Sequence, residues 1–80
     1  MMERLSQNLF ALRKQRKLSR KAVARALEMS AMTCQRYEKD LRDPTAPVLV
    51  KLADFYGVTL DQLVGRAPLP NGAGTTEEGA

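Results

Sequence analysis

Residues 19–40 read SRKAVARALEMSAMTCQRYEKD, and two serines divide them. Ser19 and Ser30 each stand directly before a short run with helical spacing, where a side-chain oxygen can accept from amides that the first turn leaves free. The first run, RKAVARALE, places Val23, Ala24 and Leu27 on one side. The second starts at Ser30 and runs to about Lys39. Only Glu28 and Met29 lie between the runs, so the spacing predicts two helices crossing at a steep angle through a tight joint. If Cys34 and Tyr37 face inward, then Ala31, Met32, Gln35 and Arg36 look outward. That outward set contains no nucleophile paired with a base.

Working outward, Leu5, Leu9 and Leu12 recur at helical spacing and predict a first amphipathic helix from about Glu3 to Arg16, with Leu18 entering the core as the chain turns. DLRDPTAP, residues 40–47, collects turn residues. A fourth helix follows, with Val48, Leu49, Leu52, Ala53 and Tyr56 as its stripe and Gly57 as its C-terminal stop. Thr59 with Gln62 makes a capping box for a short fifth helix whose expected buried residues are Leu60 and Leu63. From Gly65 the chain reads GRAPLPNGAGTTEEGA, too poor in apolar groups to offset the cost of ordering. The expectation is an all-α bundle of five short helices over residues 1–65 and a disordered tail over 66–80. No strand is needed.

Composition narrows the chemistry. Eighty residues suit one domain with a small core. With no His, one Cys and no Trp, a conventional zinc site, a Ser-His-Asp triad and a Cys-His pair are all excluded, and neither an enzyme nor a cofactor is expected. The lone Cys34 permits no internal disulfide, which fits a reducing compartment. No apolar run approaches the roughly 18 residues of a membrane span, and the N-terminus carries charge where a signal peptide is apolar, so a soluble cytoplasmic chain is expected. Net charge is +4, but residues 1–25 hold eight basic groups against Glu3 alone. Such asymmetry suits a polyanion-binding face. It equally suits solvated helix surfaces, and composition does not choose between the two.

Three segments, LRKQRKLS (12–19), QRYEKDLRDP (35–44) and LVKLADFYGVTLDQLVG (49–65), resemble in order and spacing the lambda-repressor-like family of Cro and phage-repressor DNA-binding domains. The resemblance covers about residues 5–65. It implies that the second and third helices form a helix-turn-helix, with the start of the third in the DNA major groove. The matching base-reading positions are Ala31, Met32, Gln35 and Arg36, and the matching phosphate-contacting positions are Ser19, Arg20, Lys39 and Arg42. Gln suits adenine, Arg suits guanine, and an apolar group suits a thymine methyl. Met32 has a second reading, packed against the second helix or a partner chain, and Arg36 has one as a phosphate contact.

The resemblance further implies an ion pair between Arg13 and Glu38 that fixes the third helix against the first. This sequence departs from the family at Arg20, where Gln is frequent, at Cys34, where a branched aliphatic is usual, and at Glu28 and Asp40, which replace glycines at left-handed positions. The function implied is a transcriptional regulator, expected to act as a repressor and as a homodimer on double-stranded DNA with a pseudo-palindromic operator. The alternative is an antitoxin-type module that binds a toxin protein first and DNA second.

Overall fold

The computed structural model describes residues 3–70. Among them are five helices and no strand: α1 (Glu3–Gln15), α2 (Arg20–Ala26), α3 (Ala31–Glu38), α4 (Ala46–Tyr56) and α5 (Leu60–Val64). The fold class matches the sequence reading, and α2 and α3 form the expected helix-turn-helix pair. Their starts are set by side chains. Ser19 Oγ accepts from the Ala22 amide at 3.0 Å, and Ser30 Oγ accepts from the Thr33 amide at 3.1 Å. At α5 the capping box closes both ways, with the Gln62 amide donating to Thr59 Oγ1 at 3.0 Å and the Thr59 amide to Gln62 Oε1 at 2.9 Å. α4 begins at Thr45 without a side-chain cap and relies on Pro47 in its first turn.

All five helices stop by one device. A residue at positive φ follows the last turn, and the next amide donates back to the carbonyl five residues earlier, as in a Schellman motif. The left-handed residues are Lys17 (φ 58), Glu28 (59), Asp40 (59), Gly57 (68) and Gly65 (91). The closing bonds run from Leu18 to Arg13 at 3.1 Å, Met29 to Ala24 at 2.8 Å, Leu41 to Arg36 at 2.9 Å, Val58 to Ala53 at 3.0 Å and Arg66 to Asp61 at 2.8 Å. Three of those closing residues, Leu18, Met29 and Val58, then pack against the core. Leu41 does not; it stays exposed. The motif therefore returns the chain to the centre at three of its five corners.

The core is continuous from Leu5, Leu9 and Leu12 of α1 through Val23, Cys34, Tyr37 and Leu52 to Tyr56 and Leu63. Two positions differ from expectation. Leu60 is 45% exposed, not buried. α5 is tied to α1 at its other end, where Asn8 Nδ2 donates to the carbonyls of Gln62 at 3.1 Å and Leu63 at 3.0 Å, so its first residue is left at the rim. Beyond Gly65 the chain is still packed, because Leu69 is 6% exposed and belongs to the core. Residues 71–80, the rest of the expected tail, lie outside the described residues.

Left-handed backbone costs an L-residue roughly 1 to 2 kcal/mol because Cβ crowds the following carbonyl, and glycine escapes that cost at the expense of unfolded-state entropy. Glu28 sits at φ 59 in the joint of the helix-turn-helix and its side chain makes no hydrogen bond or ion pair among the described residues. Glu28→Gly should raise unfolding free energy by about 1 kcal/mol, read by urea denaturation.

Candidate nucleic-acid interface

α3 is a two-faced helix. Cys34 and Tyr37 are buried, while Ala31, Met32 and Arg36 are exposed and Gln35 is half-buried. Met32 is 58% exposed. The four residues expected to read bases thus form one outward strip, with Gln35 partly sheltered.

The inner side of α3 ends on a buried charge cluster. Arg13 grips Glu38 with two bonds, Nε to Oε2 at 2.7 Å and Nη2 to Oε1 at 3.0 Å, and its Nη1 donates to the Leu18 carbonyl at 2.8 Å. Arg20 donates from Nε to the same Glu38 Oε1 at 3.0 Å. The Glu38 and Arg13 side chains are 5% and 8% exposed, and that of Arg20 is 34% exposed. One carboxylate therefore joins α1, α2 and α3. Hydrogen bonding to Glu38 raises the Arg13 pKa above its ordinary value against the opposing effect of burial, so the guanidinium stays charged inside the protein. Burial first, and Glu38 second, push the Cys34 thiol up, which keeps it a small protonated packing residue.

The basic first third of the chain is partly committed to structure. Arg16 Nη2 donates to the Tyr56 carbonyl at the end of α4 at 2.6 Å, and its guanidinium lies 5.5 Å from the Tyr56 ring centroid. Arg13 and Lys14 both approach the Phe10 ring, at 5.4 and 5.9 Å. Lys17, Lys21 and Arg25 are exposed and form no ion pair among the described residues. Of the expected phosphate contacts, Ser19 caps α2 and Arg20 is held by Glu38. Lys39 and Arg42 are exposed beyond the end of α3, without an ion pair among the described residues. The Arg20–Glu38 bond holds Arg20 at the last residue of α3. Among the described residues, no three His, Cys, Asp or Glu side chains are grouped to hold a metal ion.

A family model described as helix-turn-helix matches residues 9–63, more than half of the chain. The chain belongs to the helix-turn-helix family. An HTH-type transcriptional regulator, ImmR of Bacillus subtilis (strain 168), is 32% identical over 62 residues, covering 78% of this chain and 49% of that protein. The chain thus spans about half the length of that relative. No solved structure gives a significant match. Within this helix-turn-helix domain, the bonds that sequence patterning missed are Arg20 to Glu38, Arg16 to the Tyr56 carbonyl and Asn8 to α5. Arg20 carried a signal, an arginine in a family position where glutamine is frequent; Arg16 and Asn8 carried none.

Two outcomes follow from the buried cluster. Removing either partner of a buried ion pair strands a charge, at a cost of about 3 kcal/mol or more. Glu38→Ala, which strands the buried Arg13, should lose that much stability; Arg13→Ala, which leaves Glu38 its bond to Arg20, should lose less, and the double variant should lose less than their sum in denaturant titrations. Tyr56, almost fully buried, has its phenol pushed from 10.0 up to about 12 by burial and by the Glu38 charge. The folded protein then holds this proton more tightly than the unfolded chain, so the contribution is complete below the unfolded pKa and disappears as pH rises to about 12. Tyr56→Phe should flatten the loss of stability across that alkaline window.

Proposed function

We propose that this helix-turn-helix domain is a sequence-specific, DNA-binding transcriptional regulator that lays the start of α3 in the major groove. The observation that carries the reading is the division of α3: its inner side is locked to α1 and α2 through Glu38, while Ala31, Met32 and Arg36 are presented to solvent. A reading head needs both properties, a fixed pose and a free face. Gln35 pairs with adenine and Arg36 with guanine, while Ala31 and Met32 pack on thymine methyls. Ser19, Arg20, Lys39 and Arg42 hold phosphates on either side and set the register.

The name of the Bacillus relative, a transcriptional regulator, favours the same reading. We further propose a repressor that acts as a homodimer. Two copies would place their α3 helices in successive major grooves about 34 Å apart, giving a pseudo-palindromic site.

Selection from a random duplex library tests the assignment of readers. Each good bidentate pair discriminates by roughly 1 to 3 kcal/mol, so the parent should return a defined motif with two-fold symmetry. The Gln35→Ala, Arg36→Ala variant should return a degraded motif or none. Recovery of one motif by both proteins would show that bases are read elsewhere.

A further inference from the structure

Arg20 differs from every other basic side chain on the candidate face. Its Nε is bound, at 3.0 Å to Glu38 Oε1, but among the described residues its Nη atoms make no hydrogen bond. The side chain is about one-third exposed, between the buried Arg13 and the exposed Lys39 and Arg42. A guanidinium is a rigid plane with donors on two edges, so fixing it through Nε also fixes the direction of the Nη edge.

The charges point the same way. Two guanidiniums meet one carboxylate, and Arg13 takes both Glu38 oxygens while Arg20 shares only Oε1. Arg13 and Glu38 neutralise each other in the interior. The surplus positive charge of the triad is therefore carried by its partly exposed member.

We propose that Glu38 is a positioning residue for phosphate binding: it orients Arg20 through Nε so that the free Nη edge grips a DNA phosphate beside the start of α2. This rests on the DNA-binding reading above and adds that one arginine links the buried cluster to the nucleic acid. Because the guanidinium is already oriented, less rotamer freedom is lost on binding than for Lys39 or Arg42. Changes at Glu38 are thereby felt at the phosphate as well as in the pose of α3.

The test is duplex-DNA affinity across a salt series for the parent, Arg20→Ala, Arg20→Gln, Glu38→Gln, the Arg20→Ala, Glu38→Gln pair and Lys39→Ala, with melting temperatures for each. Arg20→Ala and Arg20→Gln should both flatten the slope of log affinity against log salt by about one unit, as one phosphate contact is lost. Arg20→Gln, whose amide can still donate to Glu38, should melt closer to the parent than Arg20→Ala. Glu38→Gln should weaken binding at least about threefold in the parent and clearly less once Arg20 is Ala. If Glu38→Gln does not fold, the two Arg20 variants still decide whether Arg20 holds a phosphate, and Arg20→Lys, which keeps the charge without a second donor edge, decides the positioning: it should bind less tightly than the parent, and parental affinity would overturn the inference. Lys39→Ala separates the two levels of the account. If it flattens the slope and the Arg20 variants do not, Arg20 is a helix clamp alone and the inference fails while the DNA face stands. If none of the three flattens it, the DNA face itself is misplaced. Additive losses at Arg20 and Glu38 would likewise overturn the positioning role.

Discussion

The carboxylate of Glu38 between two guanidiniums is the contact on which the placement of α3 depends. Arg13 comes from α1, Arg20 from the start of α2 and Glu38 from the last position of α3, so one group fixes three helices at once. Burying such charges is costly, and the attraction between them only repays that cost when the donors and acceptors are well matched. Here Arg13 spends Nε, Nη1 and Nη2 on Glu38 and the Leu18 carbonyl. The network is better understood as a device that fixes geometry than as a large source of stability. Apolar packing by Cys34 and Tyr37 holds α3 against the core, and a forked ion pair at its end adds directional bonds that non-directional apolar contact lacks.

The same economy governs the corners. Five helices end in the same left-handed closure, and only two of the five residues there are glycine. Lys17, Glu28 and Asp40 accept the strain because the closing amide bond and, at Leu18 and Met29, the return of an apolar side chain to the core compensate for it. Both corners of the helix-turn-helix, before α3 and after it, are among the strained three. Stability has been given up beside the candidate reading head, where a chain of this size has little to spare.

Much of this was legible in the sequence, for local reasons. Ser19, Ser30 and Thr59 announced helix starts because capping acts within three residues, and the stripes through Leu9, Leu12, Leu52 and Tyr56 announced the core because helical period is local too. What patterning missed is long-range and polar. Asn8 reaches α5 across 54 residues and Arg16 reaches Tyr56 across 40, and neither contact leaves a periodic trace. Leu60 is exposed and Leu69 is buried against the pattern of their segments, because burial there depends on tertiary packing and not on local spacing. The outward strip of α3 was predicted by the same periodicity that placed Cys34 and Tyr37 inside. The bond from Arg20 to Glu38 spans 18 residues and leaves no periodic trace.

Charge gives the account its most direct test. Arg13 and Arg16 serve the interior and the end of α4, Arg20 is bonded to Glu38 yet one-third exposed, and Lys39 and Arg42 are exposed. Nitrogen-15 NMR of backbone amides and arginine Nε–H groups during titration with duplex DNA reads the clamp and the face together. Shifts are expected at Ser19 and Arg20, from Ala31 to Arg36 and from Lys39 to Arg42, with Asn8, Leu63 and Leu69 unmoved and the Arg13 Nε–H protected from solvent exchange throughout. Shifts centred on α4 or α5, or an Arg13 Nε–H that exchanges as fast as free arginine, would contradict it.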